Sequence, residues 1–440
     1  MSLSLSVRER LLLPAIVLAF PLFVSGQPVV SPQGNEYVIP RPLVGDQINS
    51  SLTLDQAGGY LVWEENGSTK TGSQIKAARL NPNLTPISDI TVNKVVKGDQ
   101  VKPKVQLLNN GNALFVWQNY GLGNADIFAR VLKENGSFVK GDIQVNSVTK
   151  SKGSYSKDQQ SKPAICALQD GGAFVAWQSF GQDGSMFGIY ATRITADGLV
   201  VPTGRPESTV GKKKVTGPNE FLVNQTTAYN QRSPAVATLA NGNVVVVWIS
   251  EQQRFSGSVD VYARLFTPAG IAVSGELLPL NSANNICGNP SVVPLANGGF
   301  TVVWSEKDLT SDLSKSNSWD VVGRSFLPDG TATGADFKIN AHTYGEQFDP
   351  EIASIGEDCV VVWTSLGQDG SREGVYGRVL QAGVQPYGDE FRVNSTTVSR
   401  QRFPSIASVG QGRFLVTWSS FVAGSSFDLF GREYVLNPQP

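Results

Sequence analysis

The stretch "PAVATLANGNVVVVWISE" at 234–251 decides the reading of this chain: four consecutive valines precede Trp248, directly after an Asn-Gly pair. A strand with one wet face alternates polar and apolar residues, whereas a strand covered on both faces does not. An Asn-Gly pair between two apolar runs is a strong hairpin signal. The stretch therefore predicts two antiparallel strands, the second of them shielded on both sides.

The pattern returns along the chain. Apolar runs ending in tryptophan occur seven times: "GYLVW" (Trp63), "NALFVW" (Trp117), "GAFVAW" (Trp177), "NVVVVW" (Trp248), "GFTVVW" (Trp304), "DCVVVW" (Trp363) and "RFLVTW" (Trp418). The intervals run from 54 to 71 residues, and of the eight tryptophans only Trp319 falls outside the series. Self-similarity at such a spacing marks a repeat architecture. Each tryptophan run lies among the same pieces: a preceding run that mostly follows a proline, a third run such as "DVYARLF" (260–266), and a fourth such as "GDEFRVN" (388–394). Four short antiparallel strands cannot bury both faces of their sheet unless neighbouring units pack against them.

The predicted fold is all-β, a seven-bladed β-propeller with four antiparallel strands per blade. The expected blades are 47–93, 100–146, 160–224, 231–281, 287–340, 347–394 and 401–435, within one domain spanning 27–440. The last unit lacks a fourth strand, and "GNEYVIP" at 34–40 matches the missing piece, so a latch strand from the N-terminal side is expected to close the ring.

The units "GGAFVAWQSFGQDGSMFGIYATRI" (171–194) and "CVVVWTSLGQDGSREGVYGRVL" (359–380) resemble a family of secreted repeat proteins. Its units read "GGFVVVWQS…DGS…GIYGQRF…G.EFQVN", and it is known from large bacterial exoproteins, some with haemolysin-type calcium repeats, and from ciliates. The resemblance covers essentially all of the chain after Gly34. It implies a propeller-like extracellular module and brings no established catalytic residues; the glycine-rich calcium nonapeptides are absent here.

The formal charge of -1, from 36 basic and 37 acidic residues, offers no field for nucleic acid or an anionic membrane. Arg8 and Arg10 precede an apolar stretch at 11–24, and 1–26 reads as a secretory signal peptide. That stretch is interrupted by Pro14 and Pro21 and is shorter than the roughly 20 residues that span a bilayer, which argues against a retained anchor. The three cysteines cannot make a disulfide scaffold; Cys166 and Cys359 sit in strand patterns, and Cys287, read as a loop residue, is the candidate for intermolecular pairing. Sequons at Asn49, Asn66, Asn83, Asn135, Asn224 and Asn394 are candidate glycosylation sites.

Residues common to all units are best explained by the fold, and singular residues by function. Arginine recurs in every third strand, at Arg79, Arg130, Arg193, Arg264, Arg324, Arg378 and Arg432, and reads as an inter-blade pairing device. Gln47, Gln100, Gln160, Gln231, Gln347 and Gln401 precede the first strands, with Cys287 in the matching place of unit five, and are expected as a structural ring at the channel mouth. Asp183 and Asp369, in two copies of "GQDGS", supply one carboxylate per loop and are weak calcium candidates beside a Gly/Asp turn. No other metal and no cofactor is expected.

The sole histidine, His342, must serve any serine triad, and reads more simply as a solvated loop residue. Tyr120, Phe180 and Phe421, three residues after their tryptophans, and Trp319 and Tyr155 in long loops are the binding candidates on one face, with His342. The insertion 147–162 carries Tyr155 and four lysines, while the loop 203–217 with Lys212, Lys213 and Lys214 falls on the other face. The expectation is a secreted, non-enzymatic binding or structural module for an extracellular protein or glycan, within an assembly or alone. The alternative is a carbohydrate-active enzyme, glycosidase-like or lyase-like, on the same scaffold. Carboxylates converging in the channel mouth would favour the enzyme; a broad apolar face would favour the module.

Overall fold

The computed structural model describes residues 29–39, 45–67, 72–121, 124–147, 159–203, 219–308, 318–424 and 426–437. The expected signal peptide, Tyr155 and the lysines at 212–214 lie outside them. The fold is all-β, built from antiparallel sheets that are mostly four-stranded. One sheet of seven strands joins two repeat units through a single parallel bridge between Val259 and Ile286.

The first strands of the units are Asp46–Asp55, Gln100–Leu107, Gln160–Ala167, Gln231–Thr238, Ile286–Pro294, Gln347–Ile355 and Gln401–Gly410. They pack on one another in chain order, and the last packs on the first. The valine run forms the strand Val244–Glu251, and Val244, Val245, Val246 and Val247 have no exposed surface. Val244, Val246 and Trp248 pack with Phe174, Ala176 and Ile189 of the preceding unit. Val245 and Val247 pack with Phe300, Val302 and Trp304 of the following one. Successive side chains point to opposite faces, and here each face meets a different neighbour.

The recurring polar residues tie the units together. Arg130, Arg264, Arg324 and Arg378 donate from Nη1 to the carbonyls of Val92, Val223, Leu280 and Ile339 in the preceding unit, at 2.7–2.9 Å. Their Nε groups donate to the carbonyl ten residues on in their own unit, as Arg378 does at Gly388 O, 2.9 Å. The glutamines are buried. Gln231, Gln347 and Gln401 donate to the carbonyls of Ala228, Tyr344 and Val398 in the loops entering their units. Gln100 and Gln160 accept from the indole N–H of Trp117 and Trp177 at 2.9 and 2.8 Å. In unit five, Cys287 cannot do this, and the Trp304 indole donates instead to Glu306 at 2.8 Å.

Two expectations are corrected here. Cys287 is a buried residue of the strand Ile286–Pro294, so its thiol is closed to another chain, and burial pushes it well above the usual thiol range. Asn224 and Asn394 are buried, each accepting a third-strand N–H at 2.7 Å and donating to a loop carbonyl at 2.8 Å. A glycan on either would break this bonding. Asn66, Asn83 and Asn135 are exposed.

The strand Val29–Val38 runs antiparallel beside the last strand, Ser426–Asn437, starting earlier than the expected 34–40. It copies the bonding of a fourth strand. Asp142 accepts from the N–H groups of Lys94 and Val95 in the loop leaving the previous unit, and Glu36 likewise accepts from Ser395 and Thr396 at 2.7 and 3.1 Å. Burial pushes the Glu36 carboxyl up, and the hydrogen bonds from Thr396 and Ser395 more than offset it, holding it below its ordinary value. A depressed carboxylate stabilises the fold above its unfolded pKa of about 4.3 and loses that effect as pH falls through the folded value. The Tm deficit of Glu36→Gln is therefore expected to be full near neutrality and to shrink in acid. An unchanging deficit between about pH 6 and pH 3 would exclude this role of the carboxylate.

Candidate active site

Every first strand carries the same irregularity. Two residues after the buried glutamine or Cys287 stands a left-handed residue: Asn49, Lys102, Lys162, Ser233, Asn289, Asp349 or Phe403, with φ between 48° and 57°. Proline follows in all but the first. The pairing with the second strand slips at that point, as between Val101 and Lys104 or between Phe348 and Glu351, which makes each a β-bulge. A left-handed bulge residue is ordinarily glycine, because the conformation costs most other L-residues about 1–2 kcal/mol, Asn and Asp least. None of these residues is glycine. Strain retained at equivalent places asks what the side chains do. All of them line one cavity of about 360 Å³ between the first strands. That volume suits a small ligand or one sugar unit of a longer one.

Side chains just after the tryptophans hold the bulges in place. Gln178 accepts from the backbone N–H of Ser233 at 2.9 Å, and Ser305 Oγ from that of Asp349 at 3.1 Å. Glu64 accepts from Asn49 Nδ2 at 2.9 Å and from the N–H of Lys102 at 3.3 Å. Burial raises the Glu64 carboxyl, against these hydrogen bonds and the charge of Lys102.

Charge is divided across the cavity. Lys102 and Lys162 come from consecutive units; their ammonium groups donate to Asn49 Oδ1 at 2.8 Å and Ser233 Oγ at 2.9 Å. Both side chains are open to the cavity yet crowded by protein, and burial pushes both below the usual lysine range. Glu64 and Asp349 partly offset this at Lys102; at Lys162, Arg232 and Lys102 add to it. Asp349 accepts from Asn289 Nδ2. Burial first, and then Glu351, push its carboxyl up, against the opposing pull of Lys102, Lys162 and Arg402. Glu351 accepts from Ser291 Oγ at 3.0 Å and meets Lys104 Nζ at 3.8 Å. Lys104 and Glu351 lie on Gln100–Leu107 and Gln347–Ile355, strands that are not neighbours in the packing series, so this ion pair crosses the cavity. Paired carboxylates with one raised pKa, cations opposite and an aromatic ring at Phe403 make a site equipped for acid and base chemistry on a polar ligand.

The residues singled out from sequence lie elsewhere, with one exception. Tyr120 and Phe421 are each 41% exposed. Tyr120 Oη accepts from Gln118 at 2.6 Å, and Phe421 packs edge-on against Phe427 at 5.5 Å. Phe180 and Trp319 are half-buried, Phe180 against Phe187 and Trp319 over Gly288. His342 is tied through its backbone N–H to Glu390 at 3.1 Å. None of these side chains lines the cavity. Asp183 and Asp369 each accept the N–H two residues on, at 3.0 Å, as Asx turns do. Asn49, marked only as a sequon, is a cavity residue.

No protein-family model matches the chain, and no curated protein matches it. Solved structures are similar in chain path. One is a protein of unknown function from Dyadobacter fermentans, at 12% identity over 77% of this chain and 95% of that one, with a TM-score of 0.49. Another is the polysaccharide lyase Uly1, at 7% identity over 87% of this chain and 90% of that one, with a TM-score of 0.48. A third is a thermostable family-43 glycoside hydrolase, at 8% identity over 66% and 98%, with a TM-score of 0.38. The expectation of a chain without catalysis is corrected at this point. Asp349 and Glu351 both line the cavity, the arrangement set out above as the mark of the enzyme.

Proposed function

We propose that this chain is a closed seven-bladed β-propeller that cleaves glycosidic bonds in its central cavity. The packing of the last first strand on the first, and the latch beside Ser426–Asn437, support the closed ring. The observation that carries the function is the convergence of Asp349 and Glu351 at one wall of a cavity whose other wall holds Lys102 and Lys162. What supports the reading is the chain's own cavity, not the similar solved structures.

Bond cleavage at an acetal needs a proton delivered to the leaving oxygen and a second carboxylate to activate water or attack the sugar. Asp349 suits the first role, because its raised pKa keeps the proton available above the ordinary aspartate range. Glu351, oriented by Lys104 and Ser291, suits the second. Phe403 offers the apolar face of a sugar ring a partner, and Asn49, Ser233 and Asn289 offer hydrogen bonds to hydroxyls. We place this activity outside the cell, where the apolar leader at 11–24 would direct the chain.

The test is release of sugar ends from a panel of polysaccharides by the wild type, Asp349→Asn and Glu351→Gln. Cleavage by the wild type and its loss in both variants is the expected result. Cleavage of no polysaccharide, or full rates in the variants, would remove the proposal.

A further inference from the structure

We infer that the sugar bound in this cavity carries an anionic group, as a uronic acid or a sulfated sugar does, and that Lys102 and Lys162 bind it. The sugar part rests on the proposed function; the anionic part rests on the charges of the cavity alone.

Two adjacent ammonium groups face the cavity with neutral partners only, Asn49 Oδ1 at 2.8 Å and Ser233 Oγ at 2.9 Å. Neither has an ion-pair partner among the described residues, whereas Lys104 and Glu351 do. One layer along the same two strands, Lys104 and Glu351 span the cavity and meet at 3.8 Å. In the layer of Lys102 and Asp349 the walls do not meet in an ion pair within 4.0 Å. The space between them is where a ligand would complete the circuit.

The charge pattern also orients that ligand. Its anionic end would lie at Lys102 and Lys162, and its acetal oxygen at Asp349, whose carboxyl donates when it carries its proton. A neutral sugar would leave the two like charges together with only the partial offset of Glu64 and Asp349. Lysine rarely takes the left-handed conformation, yet both lysines hold it, with φ of 52° and 51°. A glycine would relax each bulge, so the side chains are kept at the expense of strain. Arg402, next to Phe403, stacks over the Phe403 and Phe427 rings at 4.7 and 4.4 Å, and its positive charge reaches Asp349. A lysine ammonium is a point charge that serves carboxylate and sulfate alike, so the source of the charge is left to the experiment.

Binding of glucuronate, galactose 6-sulfate, glucose and galactose is measured by calorimetry on the wild type, the Lys102→Gly/Lys162→Gly double variant and Asp349→Asn. Glycine enters both bulges without strain, and a thermal melt confirms that the double variant is folded. The expected result is that at least one anionic sugar binds roughly tenfold or more tightly than its neutral counterpart, about one unit of log affinity. The double variant loses that preference and Asp349→Asn keeps it. Preference for glucuronate alone assigns a carboxylate, and for the sulfated sugar alone a sulfate ester. Equal binding of charged and neutral sugars, preference surviving in the double variant, or no binding of any sugar would overturn the inference. A wild type that cleaves a neutral polysaccharide, loses this in Asp349→Asn and shows no anionic preference would overturn the inference alone and leave the proposed function standing.

Discussion

Asp349→Asn is expected to lower glycan cleavage by about 10²–10⁴-fold, the size of a lost general acid, while remaining at least as stable as the wild type at neutral pH. The two halves have one cause. Burial, then Glu351, raise the Asp349 carboxyl against Lys102, Lys162 and Arg402, so ionising it in the folded protein is disfavoured. A carboxyl raised above its unfolded value of about 3.9 contributes stability below that pH and loses it as pH rises through the folded value. Asparagine has no such ionisation. It tolerates the left-handed conformation as aspartate does, and its Oδ1 can still accept from Asn289. Melting curves should therefore show the variant level with the wild type in acid and equal or higher at neutral pH. In the wild type, the alkaline limb of kcat/KM should fall above the ordinary aspartate range and be absent from any residual activity of the variant. A variant that retains activity, or that melts lower at neutral pH, contradicts this assignment.

The framework was legible because the sequence states it redundantly. The run at 244–247 lacks alternation, and its valines do divide between two neighbouring units. The recurring arginines bond to the preceding unit, and the recurring glutamines brace the tryptophan or the entering loop of their own. Where unit five breaks the pattern at Cys287, the gap was visible, but its compensation by Glu306 was not, since the two meet only across strands.

The cavity stayed hidden for a different reason. Aligning the units favours columns that agree, and the site occupies the column that disagrees, between each glutamine and the following proline. Read in order, that column is Asn49, Lys102, Lys162, Ser233, Asn289, Asp349 and Phe403. Variation at a fixed place inside an otherwise repeated strand was the available signal. Nothing in "KP" or "FP" announces a left-handed residue, so these side chains read as ordinary strand positions. The loop aromatics Tyr120 and Phe421 are more conspicuous in the sequence, are exposed, and stand outside the cavity.

A chain beginning after Ile39 is expected to lose most of its stability, although that cut touches no cavity residue. Ile39 is buried with Leu61, Trp63, Leu415 and Leu429, so its loss alone resembles a large-to-small core change of about 2–5 kcal/mol. Val30 packs against the cluster containing Phe414 and Tyr434, and the Tyr37 hydroxyl donates to Leu84 O in unit one at 3.0 Å. Their loss, with the Glu36 clasp and the pairing along Ser426–Asn437, falls on a total stability of about 5–15 kcal/mol. The cut also bares the edge of Ser426–Asn437, and an unpaired edge recruits other chains. A large fall in Tm should therefore come with concentration-dependent association, read by light scattering. A synthetic peptide covering 27–40 should bind the open edge and raise the Tm again by mass action. The latch and Gln401–Gly410 lie at opposite edges of the same sheet, so the peptide does not approach Phe403. Glycan cleavage should then return in step with the Tm as peptide is added. A truncated chain that stays monomeric with an unchanged Tm would mean that the fold holds without the strand Val29–Val38.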